Sequence, residues 1–122
     1  MQGPKLHIRS KVWLENDEGE VVFGLGRLKI LEAVHRLGSI HAASKELKIG
    51  YRAIWARIKA TEERLGVPLL VKKKGGAAGG GSTLTTLGEE LIREYNTVQQ
   101  QINDETDAQF IERLGDILNL QD

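Results

Sequence analysis

Only three residues, 48–50, separate two segments in which apolar side chains recur at the spacing of an α-helix. The first segment covers residues 40–47 and is built on small alanines, and the second covers residues 51–65 with the sequence YRAIWARIKATEERL. At about 100° per residue, the second segment gathers its apolar side chains into one narrow stripe. The residues of that stripe are Ile54, Ile58, Thr61 and Leu65. Two helices joined by so short a connection must pack directly against each other.

The residues around this connection meet the packing requirements of a helix-turn-helix. Ala43 and Ser44 are small enough for the two helices to approach closely. The apolar residues that would wedge the pair together are Leu47, Ile49, Ile54 and Ile58. Lys48 stands where many such turns have glycine in a left-handed conformation, so we expect a turn that is slightly strained or differently shaped.

Further elements flank the two helices on both sides. The spacing of apolar residues predicts a helix over residues 27–37 that stops at Gly38. Ser39 is placed to cap the next helix, because its side chain can accept from exposed backbone amides. One predicted hairpin joins residues 6–14 to 20–23, and a second joins residues 69–73 to 83–85. The predicted fold class is mainly α with small β-hairpins (α+β), a winged helix-turn-helix.

The end of the chain is helical in pattern and rich in acidic residues. Thr86 and Glu89 match a capping box that would open a helix. Apolar spacing continues through Ile102, lapses over residues 103–107 and then returns. The pattern fits either one helix to about residue 119 or two helices that meet near Asp104, and the break is preferred.

We therefore predict three segments. They are an N-terminal β-hairpin over residues 1–25, a winged helix-turn-helix over 26–86 and a C-terminal helical region over 87–122. The C-terminal region carries an apolar stripe that a single small domain has little left to cover.

The formal net charge of zero conceals two parts of opposite sign. Residues 1–80 carry 15 Lys and Arg against 8 Asp and Glu, whereas residues 81–122 carry 2 against 9. Within residues 45–74 the excess is sharper, at 9 basic against 3 acidic side chains. A short stretch with so much charge of one sign is typical of a phosphate-binding surface, although a solvated face with its counter-charges elsewhere is the plainer alternative.

If Ile54 and Ile58 face the core, the opposite side of their helix presents side chains suited to a DNA major groove. Arg52 can pair with guanine, Lys59 suits a phosphate, and Ala56 permits close approach. The predicted DNA contacts on the helix pair are Ser39, His41, Tyr51, Arg52, Trp55 and Lys59. The two large aromatics of this set have an alternative role in the core, because such residues are more often buried than exposed.

The second hairpin joins lysines to a glycine-rich loop in the stretch VKKKGGAAGGGSTLTT. A hairpin in this position lies beside a bound duplex, where lysines neutralise phosphates and release counterions. The predicted contacts of this wing are Lys72, Lys73, Lys74, Gly75 and Gly76. Backbone amides without side chains can approach a phosphate closely, but the alternative is that the glycines serve only the turn.

The stretch SIHAASKELKIGYRAIWARI, the glycine wing GGAAGGGSTLT and the following TLGEEL resemble the N-terminal DNA-binding domain of ModE-type molybdate-responsive regulators. More distantly, they resemble the winged helix-turn-helix of LysR-type regulators, over roughly residues 26–102. The resemblance implies a homodimer that binds double-stranded DNA at a two-fold-related operator through these same contacts. It also implies that the flanking helices form the dimer contact. The residues expected at that contact are Leu91, Tyr95, Val98, Ile102, Phe110, Leu114 and Ile117.

The resemblance does not extend to a sensor. ModE-type regulators with a sensor place a molybdate-binding module after this domain, and residues 103–122 are too few to form one. Molybdate or tungstate is therefore not an expected partner of this chain. The N-terminal hairpin is additional to the LysR-type pattern.

Catalysis and metal binding have little support in the sequence. The three histidines sit in unrelated elements without a carboxylate at metal-ligand spacing, and there are no cysteines. The run FGLGR lacks the third glycine of a dinucleotide fingerprint. We expect no enzyme, cofactor or metal site, and a cytoplasmic protein, because no signal peptide or membrane span is apparent. The main alternative function is a winged-helix protein interaction module, which would show an apolar patch in place of the basic face.

Overall fold

The computed structural model describes residues 5–73 and 81–120 of the chain. Two short strands come first, followed by three helices, two further strands and a long helix. Their bounds are β1 Leu14–Glu15, β2 Val21–Phe23, α1 Leu25–Leu37, α2 Ile40–Leu47, α3 Tyr51–Leu65, β3 Leu70–Lys73, β4 Gly81–Leu84 and α4 Thr86–Leu114. The predicted fold class is confirmed, because β1 pairs with β2 and β3 pairs with β4 in two small antiparallel sheets around a helical core.

The chain divides into two compact units. The first consists of Val12–Glu94 and contains both hairpins, α1 to α3 and the start of α4. The second consists of Met1–Lys11 with Tyr95–Asp122. In this second unit Ser10 donates a hydrogen bond to the side-chain oxygen of Asn103 on α4. The predicted N-terminal hairpin is therefore shorter than expected, because residues 5–11 are not paired as a strand and belong with α4.

The three helices α1, α2 and α3 enclose the core of the first unit. One cluster of buried residues in this core consists of Ile30, Ala33, Val34, Ile40, Ala43, Ile54 and Ile58, with Leu47, Ile49, Trp55 and Leu70 packed against it. Ala43 and Ile54 are fully buried, so the predicted wedge at the turn is confirmed. Close packing of small and branched side chains sets the position of α3 relative to α2.

Left-handed residues end each of the first three helices. Gly38 ends α1 and Gly66 ends α3, with φ of 80° and 75°, as a glycine at this position permits. Lys48 ends α2 with φ of 56°, so a lysine adopts the left-handed conformation usual for glycine, which is the strained alternative of the two that the sequence predicted. The Ser44 hydroxyl donates to the carbonyl of Ile49 at 2.5 Å and stabilises this turn.

Helix α4 is continuous from Thr86 to Leu114, so the preferred break near Asp104 is wrong. The polar stretch stays helical because its side chains bond to groups one turn away. Gln100 donates to the Asp104 carboxylate at 2.9 Å, and Gln109 donates to the Glu105 carboxylate at 3.1 Å. Pairs four residues apart stabilise a helix without apolar contacts.

Thr85, and not Thr86, caps the start of α4. Its hydroxyl accepts from the amide of Gly88 at 3.1 Å and donates to the carbonyl of Pro68 at 3.0 Å. The capping box predicted one residue later is therefore wrong. Gly88 also has a packing role, because a Cβ at this position would lie 2.8 Å from the carbonyl oxygen of Leu69.

Candidate nucleic-acid interface

The exposed face of α3 carries most of the side chains predicted to enter a major groove. Ile54, Ile58 and Thr61 of α3 are buried, whereas Tyr51, Arg52, Ala56 and Lys59 are exposed on its outward side. Arg52 forms no hydrogen bond or ion pair with any residue that the structure describes. Its guanidinium therefore keeps its five donors for an external acceptor.

His41 and Tyr51 were predicted as separate contacts, and the structure brings them together. Their rings stack with centroids 4.6 Å apart and planes inclined by 26°. His41 lies in the first turn of α2 and Tyr51 begins α3, so the stack bridges the two helices of the motif. Both side chains remain exposed beside Arg52.

Trp55 does not project freely from α3 as its distance from the apolar stripe suggested. It is half-buried and packs against the helical core. Its remaining ring surface carries two cations: the Nζ of Lys59 lies 4.9 Å from the ring centroid, and the Nζ of Lys72 lies 5.0 Å from it. Trp55 thus contacts the helical core, Lys59 of α3 and Lys72 of the wing.

Ser39 has a structural role that limits its part in the interface. Its side-chain oxygen accepts from the amide of Ala42 at 3.0 Å and caps the start of α2, as predicted. The residue is half-buried, so any contact with DNA would use the free donor of its hydroxyl.

The wing is a hairpin in which Leu70 pairs with Leu84 and Lys73 pairs with Gly81. Lys72 is exposed on β3. Lys73 lies in the same strand, and the predicted contacts Lys74, Gly75 and Gly76 lie outside the residues that the structure describes. Strand β4 begins at Gly81, two residues earlier than predicted.

Two residues that the sequence analysis missed fix the wing in place. Glu62 of α3 accepts through one carboxylate oxygen from the amides of Leu69 and Leu70, at 2.7 and 3.1 Å. Its other oxygen lies 3.8 Å from the Nζ of Lys59. A carboxylate that bonds two backbone amides at the start of a strand holds that strand against the helix. The role of Glu62 left only a weak signal in the sequence, because its i,i+3 spacing from Lys59 predicts no more than a surface ion pair.

Gly81 is the second missed residue. The amide of Ser82 donates to the carbonyl of Gly38 at 2.9 Å, which joins β4 to the turn between α1 and α2. A Cβ on Gly81 would lie only 2.6 Å from that same carbonyl oxygen. The glycine-rich composition of the wing concealed this position, because its neighbours in the sequence are glycines too.

The residues predicted at a dimer contact differ in exposure. Val98, Ile102, Leu114 and Ile117 are exposed, and Leu91 and Phe110 are half-buried. Tyr95 is only 5% exposed within the single chain, so it offers almost no surface to a second copy. Burial also raises the pKa of the Tyr95 hydroxyl.

Across the described parts of the chain, His, Asp and Glu side chains form no group of three that could hold a metal ion. None of the described helices is both long and apolar enough to cross a membrane.

The sequence matches the family model of bacterial regulatory helix-turn-helix proteins, lysR family, over residues 25–89. It is also similar to the molybdenum-pterin-binding protein MopB of Rhodobacter capsulatus, with 40% identity over 76 residues that cover 62% of this chain and 28% of MopB. The molybdenum transport protein ModE of Azotobacter vinelandii is 31% identical over 108 residues, which cover 88% of this chain and 39% of ModE. The chain thus spans less than half the length of these relatives.

Solved structures with the same fold include a DNA complex. The DNA-binding domain of CbnR bound to DNA superposes with a TM-score of 0.56 and 26% identity, covering 70% of this chain and 93% of that domain. Full-length LysG from Corynebacterium glutamicum superposes with a TM-score of 0.53 and 26% identity, covering 77% of this chain and 30% of LysG. The part of the chain that matches contains the whole helix-turn-helix and the wing strands.

Proposed function

This chain belongs to the lysR family of bacterial regulatory helix-turn-helix proteins, and from that premise we propose that it is a transcriptional regulator that binds double-stranded DNA as a homodimer. In the proposed complex, α3 lies in the major groove and the wing of β3 and β4 follows the phosphate backbone. Arg52 contacts a base edge, and Lys59 and Lys72 contact phosphates. Lys73, Lys74 and the adjoining glycines Gly75 and Gly76 extend the backbone contact.

The observation that carries this proposal is the convergence of cations from two elements. Lys59 comes from α3 and Lys72 from the wing, and both ammonium groups lie within about 5 Å of one tryptophan ring. Exposed cations gathered from separate elements create a local positive potential that a net charge of zero does not reveal.

The same surface argues against the alternative of a protein interaction module. Docking modules bury an exposed apolar patch, whereas Arg52 and Lys59 dominate the outward side of α3. The largest apolar group on that side, Trp55, is half-buried and is covered in part by the two lysines. Charge on an exposed helix face favours phosphate over an apolar partner.

The homodimer is supported by the exposed apolar residues of α4. Val98 and Ile102 lie on one stripe of this helix and are both exposed. A second copy that brings the same stripe against them would remove this apolar area from water. Tyr95 is excluded from the proposed contact because of its burial.

The molybdenum functions in the names of MopB and ModE are not extended to this chain. The matches cover 28% and 39% of those proteins, and the site proposed here is a cationic surface for DNA.

Salt-dependent binding tests the proposed function. The protein is titrated with a pool of random-sequence duplexes at a series of salt concentrations, and an operator is then selected from the same pool. Each phosphate contact should contribute about −0.9 to the slope of log K against log salt. We expect a steep slope and a selected sequence with two-fold symmetry. Binding that is indifferent to salt, or selection that enriches no sequence, would contradict the proposal.

A further inference from the structure

We propose that Trp55 is a positioning residue of the DNA-binding surface. Its ring holds Lys59 of α3 and Lys72 of the wing together as a pair of phosphate contacts, and it does not contact a base. This inference rests on the proposed function and changes the role that the sequence suggested for Trp55, which was a contact in the major groove.

Part of the Trp55 side chain packs against the helical core. The two ammonium nitrogens lie 4.9 and 5.0 Å from the centre of the same ring, so they can be no farther apart than the sum of these distances. Because part of the ring is packed against the core, less of its surface is left to reach into a groove than a freely projecting side chain would have.

Two ammonium groups on one ring repel each other, and the π face of the indole together with the Glu62 carboxylate beside Lys59 offsets part of that repulsion. A phosphate that approaches both lysines removes the remainder. The free protein therefore holds a pair of cations ready for an anion, and the ring keeps the pair assembled.

A free lysine side chain loses conformational entropy when it is fixed on a phosphate, and a side chain that is already held loses less. Glu62 contributes to the same arrangement, because it pairs with Lys59 and also bonds the amides that begin β3. The ring of Trp55 thus couples the position of the wing to the position of α3.

A double-mutant cycle tests this role. Trp55→Leu is made in the parent and in the Lys59→Met/Lys72→Met background, and affinity for random-sequence duplex is measured at one low salt concentration. We expect Trp55→Leu to weaken binding about tenfold in the parent but about twofold or less without the lysines. Trp55→Phe keeps a π face and should recover most of the parent affinity. Thermal unfolding of every variant accounts for any loss of folded protein.

Equal losses from Trp55→Leu in the two backgrounds would overturn the role of Trp55, because a base contact or a purely structural role does not depend on the lysines. A parent chain that binds no duplex would instead overturn the proposed function, and the role of Trp55 would fall with it. The two failures are therefore distinguishable.

A second measurement examines the free protein without DNA. In a Trp13→Phe background Trp55 is the only tryptophan, because the sequence has two. Iodide, an anion, should quench Trp55 fluorescence less after Lys59→Met/Lys72→Met, whereas quenching by neutral acrylamide should not fall. If iodide quenching is the same with and without the lysines, the proposed pairing on the ring is wrong.

Discussion

Arg52 is the residue that we expect to contribute most to sequence discrimination. It is exposed on α3 and has no partner among the described residues. A bidentate contact between arginine and guanine provides about 1–3 kcal/mol of discrimination. Arg52→Ala should weaken binding to the selected operator by that amount and remove the preference at one base pair. Anisotropy titrations with the operator and its single-base variants measure both effects.

Lys29 provides a control for the loss of one positive charge. It is exposed on α1 and belongs to no predicted contact. Lys29→Ala should leave the ranking of the single-base variants unchanged. If Arg52→Ala also left that ranking unchanged, the assignment of Arg52 to a base would be wrong.

Thr61 is a polar residue in the apolar stripe of α3. It is 1% exposed, and its hydroxyl donates to the carbonyl of Val22 at 2.7 Å, which joins α3 to β2. Thr61→Val keeps the shape of the side chain but removes the donor, so the free energy of unfolding should fall by about 1–3 kcal/mol. Denaturant titration measures this change. Thr61→Ser keeps the hydroxyl but removes the methyl group. If it lowered the free energy of unfolding as much as Thr61→Val, the methyl group would matter more than the hydrogen bond.

Single residues could be predicted from the sequence where their role is local along the chain. Ser39 caps the helix that follows it directly, and Gly38 ends the helix that precedes it. Gly81 could not be recognised, because its requirement comes from the carbonyl of a residue that is distant in sequence. The half-burial of Trp55 has a similar origin, since the ring packs against the helical core and Lys72 reaches it from the wing.

Among the elements, the attachment of the wing to α3 depends on Glu62. Its carboxylate satisfies the amides of Leu69 and Leu70, both of which are at least half-buried. Glu62→Ala leaves two amides without this acceptor and should lower the free energy of unfolding by about 1–3 kcal/mol. It should also weaken duplex binding, because Lys72 lies on β3, the strand that this carboxylate holds against α3. Denaturant and duplex titrations give the two values.

Glu63, which is exposed on the same turn of α3, is the matched control for Glu62. Glu63→Ala removes the same charge without removing a backbone acceptor, so stability should hardly change. Because losing either carboxylate makes the protein more positive, electrostatics alone would strengthen duplex binding in both variants. A gain in affinity for Glu62→Ala equal to that for Glu63→Ala would contradict a role of Glu62 in placing the wing.

Helix type and order were predictable from periodicity, but the ends and continuity of α4 were not. A polar stretch with lapsed apolar spacing looks like a break when only burial is considered. Bonds such as Gln100 to Asp104 keep it helical, and their geometry is visible only in the folded helix. The cap at Thr85 was missed because Thr86 and Glu89 match the capping-box sequence, whereas the bonds of the Thr85 hydroxyl to Gly88 and Pro68 are visible only in the fold.

For the whole molecule, the separation of charge along the chain directs where a duplex can bind. Basic residues exceed acidic ones within residues 1–80, and acidic residues dominate residues 81–122. A phosphate backbone is attracted to the first part and repelled by the second. The separation of charge therefore favours DNA binding by the first part, and the neutral total limits attraction at long range, so that local contacts determine the affinity.

The number of copies on the duplex can be tested through the exposed stripe of α4. Val98 and Ile102 are 43% and 37% exposed, and two glutamates there would bring like charges together in a dimer. Val98→Glu/Ile102→Glu should reduce the mass measured by light scattering from two chains to one. Since a single copy contacts about half as many phosphates, the slope of log K against log salt should also fall by about half.

Gln101→Glu/Ala108→Glu adds the same two negative charges at exposed positions of α4 outside that stripe. It should therefore keep both the mass and the slope of the parent. The comparison separates loss of the second copy from general repulsion of DNA by added charge, because repulsion alone would lower the affinity of both variants without changing the mass. A parent that already has the mass of one chain in the presence and absence of duplex would contradict the dimer, and a control that dissociates would show that the contact extends beyond the stripe.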